Sequence, residues 1–237
     1  MVHKFQEIFI LSLKYYFQLF YLVLGFGIIL IALLNTLADI NFSLYFGNLT
    51  YSFLTLLSLV YIIPTIVLAS VINAIFVTLL IFLVRKHLLQ EHRKVYVLEF
   101  IKKHATYLFL FYLVLYFILF IVYLVFVDTA VSFLIPIFTT IILFLTFYAS
   151  QSIIIDEKKA LSGISYSFYF LKQNISKTIF VILVLTLIYL IIALICFYFS
   201  WGFIASLILY TIFLYPLSEI IKTTIYLTKF EIFKSYL

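Results

Sequence analysis

Long, nearly uninterrupted apolar stretches dominate this chain and limit what it can fold into. A helix needs roughly twenty consecutive apolar residues to cross a ~30 Å hydrocarbon layer, and such runs recur along the 237 residues. With 67% hydrophobic and 10% charged residues, the chain is too apolar for a water-soluble fold of this size. In lipid, only helices and closed barrels satisfy every backbone group. Because barrel strands are only about ten residues long, the sequence predicts an all-α transmembrane protein.

The apolar runs divide into six predicted membrane spans. These cover residues 15–37, 57–84, 105–127, 131–155, 178–200 and 203–221. With this division all 15 Lys and Arg residues fall on one side of the membrane, whereas the other side carries only Asp39 and Asp128. Since basic loops remain in the cytoplasm, we expect a multi-pass protein of the cell membrane with both termini cytoplasmic.

The six spans form three similar pairs, which predicts an internal repeat. An amphipathic stretch precedes each pair, at residues 2–14, 91–105 and 157–176, and the second span of each pair contains one proline: Pro64, Pro136 or Pro216. We therefore predict a single membrane domain, 1–237, in which an interfacial helix plus a transmembrane hairpin is used three times. The repeats cover about 2–84, 91–155 and 157–237.

The third amphipathic stretch, DEKKALSGISYSFYFLKQNISK, shows the helical period most clearly. Its lysines are expected to meet lipid headgroups while the apolar face lies in the membrane interface. Asp156 is placed to cap the N-terminus of this helix. The predicted apolar face consists of Leu161, Ile164, Phe168, Leu171 and Ile175.

Residues 147–185 around this stretch resemble a family of multi-pass membrane proteins. That family includes the membrane domain of some glycerophosphodiester phosphodiesterases and YciC-like proteins. The resemblance implies a helical membrane domain without catalytic residues, because the phosphodiesterase chemistry belongs to a separate soluble domain. The closing stretch, YPLSEIIKTTIYLTKFEIF, is similar to the family's last helix. The matching positions in the main motif are Ala160, Leu161, Ser167, Leu171, Lys172 and Asn174.

Residues that could support catalysis or bind metal are scarce. Charged groups within a bilayer mark ion paths or catalysis, yet none lies near the middle of a predicted span. Glu219 and Lys222 sit at the cytoplasmic end of the sixth span, where we expect a local interfacial ion pair. Cys196 is the only cysteine, so an intrachain disulfide is excluded. We expect no enzyme activity, no metal and no cofactor.

Two predicted spans carry uncharged polar residues that allow two interpretations. One is close packing of helices through small and polar side chains. The other is a polar cavity between the second and fourth spans for a lipid headgroup or small solute, with Pro64 and Pro136 permitting helix breaks. The candidate residues are Ser70, Asn73, Thr78, Thr146, Ser150 and Gln151.

Basic residues cluster beside the predicted spans. Each contributes ~1 kcal/mol of attraction to an anionic leaflet, so the expected partners are membrane lipids with anionic headgroups on the cytoplasmic side. A homo-oligomer or a membrane-protein partner is also expected, whereas nucleic acid is not. The candidate headgroup contacts are Arg85, Lys86, Arg93, Lys94, Lys102, Lys103, Lys158, Lys159 and Lys172.

Two functions fit these features. The first is a non-enzymatic, lipid-interacting or scaffold protein that accompanies other membrane components. The alternative is a transporter or permease component with a polar path between the second and fourth spans. A lipid bound between helices would favour the first, and a hydrated cavity open to one side would favour the second.

The charge asymmetry predicts the membrane topology directly. Reporter fusions at Tyr45 and Asp128 should give an external signal, because both positions lie in loops that lack basic residues. Enzymatic reporters active on only one side of the membrane would measure this. A cytoplasmic signal at either position would refute the six-span arrangement.

Overall fold

A computed structural model describes residues 2–38, 56–89, 97–126, 132–197 and 202–230. Within these ranges the chain is helical and contains no strand, which confirms the predicted all-α class. The α-helices are α1 (Val2–Gln18), α2 (Phe20–Ala38), α3 (Leu56–Leu89), α4 (Val97–Phe126), α5 (Leu134–Leu145), α6 (Ala149–Ile155), α7 (Ala160–Gln173), α8 (Ile175–Phe197), α9 (Gly202–Leu209) and α10 (Tyr215–Leu227).

Four helical segments of the described chain are long and apolar enough to cross a membrane, and a fifth span results if the bent α1–α2 pair counts as one. The four cover Ile63–Leu88, Val97–Phe126, Leu134–Ile155 and Ile175–Cys196. The predicted first span is interrupted at Leu19, where the axis bends by 71°.

The predicted sixth span also differs from an uninterrupted helix. Its residues form α9, a π-helical segment over Tyr210–Leu214, and α10 in immediate succession. None of these three segments is long enough to cross a membrane alone. A short 3₁₀ turn, Thr228–Phe230, follows α10.

Helices α3 and α10 form the centre of the described structure. They pack against each other, and α10 also packs along α1, where Ser12 donates a hydrogen bond to Thr224 (3.4 Å). Of the most apolar stretch of α3, 61% is buried, compared with 11% for α8. Because lipid is the solvent around such a bundle, α8 is a peripheral helix with most of its surface available to lipid.

The three amphipathic stretches have different structures. The first is part of α1, a separate helix before the bend, and the third forms α7, which is separated from α8 at Asn174. The second stretch differs from the prediction, because residues 97–105 are the first turns of α4 and continue into its span without interruption. Three equivalent interfacial helices are therefore not seen in the described chain.

Helix α7 turns a polar and aromatic face toward the protein and an apolar face away from it. Gly163, Ser167, Phe170 and Leu171 are buried. Of the predicted apolar face, Leu161, Phe168 and Ile175 are exposed outside the core, whereas Leu171 is buried. At 100° per residue, Ser167 and Leu171 lie one turn apart on the buried face, whereas Leu161 lies about 120° around the helix from Ser167.

Several predicted features lie outside the described residues. These are the external loop residues Asp39 and Asp128 and the basic residues Arg93 and Lys94.

A glycine allows α7 to approach α6 closely. A Cβ added at Gly163 would lie 2.4 Å from Ile153 Cγ1, closer than packed atoms allow. Ile153 is fully buried and therefore has little room to move. Gly25, also within a helix, has no such neighbour within 4 Å of an added Cβ.

We expect Gly163→Ala to destabilise the protein by about 1–3 kcal/mol, because overpacking displaces the buried Ile153 side chain. The matched variant Gly25→Ala should be neutral or stabilising, because alanine favours a helix by about 1 kcal/mol over glycine. Thermal unfolding of the purified protein in detergent would measure both. Equal unfolding temperatures for the two variants would contradict this account of α6–α7 packing.

Candidate functional site

The predicted fourth span contains a turn between α5 and α6, and a serine of α7 supplies hydrogen bonds there. Residues 146–148 form turns, so some backbone groups lose their helical partners. The Ser167 hydroxyl accepts a hydrogen bond from the backbone N–H of Tyr148 (3.1 Å) and donates one to the carbonyl of Leu145 (3.4 Å). In a membrane, unsatisfied backbone groups cost several kcal/mol. Ser167 thus satisfies backbone groups that lack a helical partner at the turn.

No proline lies at this turn, and the two prolines that permit helix breaks are found elsewhere. Pro64 lies inside α3, which continues through it, and Pro136 lies in the first turn of α5, where proline is tolerated. The interrupted stretch contains Thr146, whose hydroxyl donates to the carbonyl of Ile142 (2.8 Å). Such a bond back to the preceding turn competes with the regular helical ladder.

The short helix α6 that follows is completely buried and holds a carboxylate. All seven of its residues are buried. Gln151 Nε2 donates a hydrogen bond to Glu219 Oε2 of α10 (2.9 Å), and Ser150 Oγ donates to the same oxygen (3.4 Å). Glu219 is only 3% exposed. The sequence predicts an interfacial ion pair, and the structure shows that its carboxylate is buried within the protein.

A lysine from the next turn of α10 compensates the charge. Lys222 Nζ donates to Glu219 Oε1, and the side chain of this lysine is 12% exposed. The same ammonium lies 5.1 Å from the centre of the Phe147 ring, within cation–π range. The predicted i,i+3 pairing of Glu219 and Lys222 is thus observed, but in a buried setting.

Polar contacts continue from Glu219 toward the middle of α3. Asn73 Nδ2 donates to Tyr116 Oη (2.5 Å), and Tyr215 Oη donates to Asn73 Oδ1 (3.2 Å). Tyr112 stacks on Tyr116 with ring centres 5.9 Å apart, and lies near Tyr215 and Ser150. We call these eight residues the polar core: Asn73, Tyr112, Tyr116, Ser150, Gln151, Tyr215, Glu219 and Lys222.

The distance of Glu219 from the charged end of the bundle follows from helix geometry. Glu219 precedes Lys229 by ten residues, which corresponds to roughly 15 Å of helix rise. Tyr215 lies one further turn away from Lys229. Glu219 and Tyr215 therefore lie away from the charged end of the bundle, where Lys229 pairs with Asp156.

A second irregular segment lies immediately before the polar core on the chain. The π-helical segment Tyr210–Leu214 ends where α10 begins, and Tyr16 donates a hydrogen bond to the carbonyl of Ile212 in it (3.0 Å). Gly27 permits close contact there, because a Cβ at this position would lie 2.8 Å from Ile212 Cγ1. Single π-helical turns occur frequently at functional sites.

Ion pairs gather at one end of the bundle. Asp156 accepts hydrogen bonds from Lys229 Nζ (2.5 Å) and Tyr226 Oη (2.5 Å), and Glu157 accepts one from Lys103 (2.6 Å). The bond from Lys103 lowers the pKa of the Glu157 carboxyl. Asp156 is the C-cap of α6 and does not cap α7, whose N-cap is Lys159. The predicted capping role of Asp156 is wrong.

The six polar residues singled out from the sequence separate into two groups. Asn73, Ser150 and Gln151 belong to the polar core. The hydroxyl of Ser70 donates to the carbonyl of Ile66 in its own helix (2.7 Å), and Thr146 similarly bonds within α5 and its C-terminal turn. Thr78 is fully buried, and its hydroxyl has no hydrogen-bond partner among the described residues.

Five members of the polar core were not predicted as site residues: Tyr112, Tyr116, Tyr215, Glu219 and Lys222. The spacing contains a signal, because Tyr112 and Tyr116 are four residues apart and so are Tyr215 and Glu219. Residues at this spacing share one helix face. With 20 tyrosines in the chain, however, such pairs do not stand out.

The predicted headgroup contacts remain at or near the surface where they are described. Lys86, Lys102, Lys159 and Lys172 are exposed. Lys103 forms the exposed pair with Glu157. Lys158 lies 4.3 Å from the centre of the Tyr166 ring, and Arg85 is partly buried.

No protein-family model, curated protein or solved structure matches the chain. The resemblance to the phosphodiesterase-associated membrane domain therefore remains a prediction. Within the described residues there is no group of three or more His, Cys, Asp or Glu side chains suited to bind a metal ion.

Proposed function

We propose that the protein is a transporter or permease component of the cell membrane, with six spans, both termini in the cytoplasm and a polar path through the polar core. The buried Glu219 is the observation that carries the functional proposal. An ionisable group inside a membrane bundle is costly, and such groups in membrane proteins generally belong to solute or ion pathways. The contacts from Glu219 to Asn73 extend this site toward the membrane interior.

The local backbone supports the same proposal. Discontinuous helices form the solute sites of many secondary transporters, and here the break at residues 146–148 directly precedes Ser150 and Gln151. The π-helical segment precedes Tyr215 and Glu219. Two irregular segments thus supply side chains to one site, and each is a place where a helix can bend without losing long runs of hydrogen bonds.

The ion pairs at one end of the bundle support the proposed topology. They bring together the start of α4, the α6–α7 turn and the region after α10. The six-span arrangement assigns these three regions to the cytoplasmic side. The two interruptions in the first and sixth predicted spans are compatible with it, because broken helices also cross membranes.

A hydrated path predicts that cysteines in the polar core react with a water-soluble reagent. In a Cys196→Ala background, we expect Asn73→Cys and Ser150→Cys to be modified by a small charged methanethiosulfonate when the path opens. The matched control is Ile118→Cys on α4, whose native side chain is 43% exposed outside the core. We expect this control to remain unmodified, because a thiolate does not form in hydrocarbon.

Labelling in reconstituted vesicles, read by mass spectrometry, would measure these reactions. Cysteines at positions 73 and 150 that are as inert as the one at position 118 would contradict transport and leave the polar core with a packing role.

A second candidate function, the lipid-interacting accessory or scaffold protein, is supported by α7. This helix exposes Leu161 and Phe168 outside the core, and Lys159 and Lys172 lie at its two ends. Amphipathic helices of this kind lie in membrane interfaces and attract anionic lipids. Lys159→Gln with Lys172→Gln should then reduce the anionic lipid retained in native mass spectrometry, and unchanged retention would argue against this role.

A further inference from the structure

The carboxylate of Glu219 is held asymmetrically. Neutral donors from Gln151 and Ser150 both bind Oε2, whereas Oε1 is bound by the Lys222 ammonium. Neutral hydrogen bonds stabilise a buried carboxylate without cancelling its charge, so a cation is also required in this setting. Within the described surroundings of Glu219, that cation is a flexible side chain from the next turn of the same helix.

Lys222 is a cation that can leave this position. Its ammonium is carried on a flexible four-carbon stem. The side chain retains 12% exposure, and Lys222 is nearer than Glu219 to the charged end of the bundle. Long lysine side chains near helix ends extend readily toward the headgroups. Departure of Lys222 would expose a buried anionic site that requires another cation.

We propose that Glu219, Ser150, Gln151 and Phe147 form a binding site for a small monovalent cation, ammonium or alkali, that exchanges with Lys222. This inference rests on the proposed transport function and names its substrate class. The exchange replaces one positive charge by another, so the buried site stays neutral throughout.

The groups around the site fit this class of ligand. Both carboxylate oxygens, the Ser150 hydroxyl and the Gln151 carbonyl oxygen supply hard oxygen ligands, and the Ser150 and Gln151 side chains already lie 3.1 Å apart. Phe147 offers a ring face that attracts a desolvated cation, as its contact with Lys222 demonstrates. The single carboxylate matches a single positive charge. An anion would meet the negative charge of Glu219 without compensation.

The test removes the resident ammonium and supplies a soluble one. In purified full-length Lys222→Met, we expect the unfolding temperature to rise by about 5–10 °C at a hundredfold excess over the dissociation constant. The probes are methylammonium, ammonium and sodium chloride, each exchanged for N-methylglucamine chloride at constant ionic strength. The probe that raises the unfolding temperature at the lowest concentration shows whether the ligand is an ammonium or an alkali ion.

Two controls make the result specific. The double variant Lys222→Met, Glu219→Gln should lose the response, because the carboxylate is absent. Lys172→Met, which removes an exposed lysine of α7, should behave as the wild type. If Lys222→Met folds only when one of the probes is present, this chemical rescue also supports the site.

Several outcomes would overturn the proposal. The first is a flat response of Lys222→Met to all three probes, and the second is a response that persists in the double variant. The third applies if Lys222→Met does not fold alone: none of the three probes then restores folding. The cysteine experiment separates this site from the transport function. Cation binding with unreactive cysteines would reject transport and keep the site, whereas reactive cysteines without a cation response would reject only the ligand class.

Discussion

The burial of one carboxylate determines how the centre of this bundle is arranged. Glu219 lies on α10, and its negative charge must be matched by donors from neighbouring helices and by a cation. Gln151 and Ser150 supply the donors, and Lys222 supplies the cation. Removing either kind of partner would leave a desolvated group in a medium that cannot hydrate it. The positions of α6 and α10 are therefore mutually dependent.

Helix α6 is suited to this role because irregular backbone lies at both of its ends. The turn at residues 146–148 isolates it from α5, and Ser167 satisfies the backbone there. At its other end, Asp156 is bound by Lys229 and Tyr226. Contacts at both ends of α6 and the Gln151–Glu219 bond in its middle hold this buried helix in position. Exchange of the cation at Glu219 would weaken the Gln151–Glu219 bond. The site is thereby connected to the turn at residues 146–148 and to the π-helical segment Tyr210–Leu214.

The helical class and the approximate positions of four of the six predicted spans followed from the sequence, because hydropathy is a local property of the chain. The breaks did not follow. Ser167 looks like an ordinary small residue in sequence, and only its hydrogen bonds to the backbone of Tyr148 and Leu145 reveal its role. Pro64 and Pro136, which permit helix breaks, lie within α3 and in the first turn of α5. Local patterns report which residues prefer lipid, whereas the burial of Glu219 depends on helix–helix packing.

The central claim is that Gln151 and Glu219 are energetically coupled inside the bundle. A double-mutant cycle with Gln151→Leu and Glu219→Met, measured by unfolding of the full chain in mixed detergent micelles, tests it directly. We predict that Gln151→Leu costs about 1–3 kcal/mol in the presence of Glu219 and much less in its absence, because only a buried charge needs the amide donor. Additivity of the two changes to within about 0.5 kcal/mol would contradict the account.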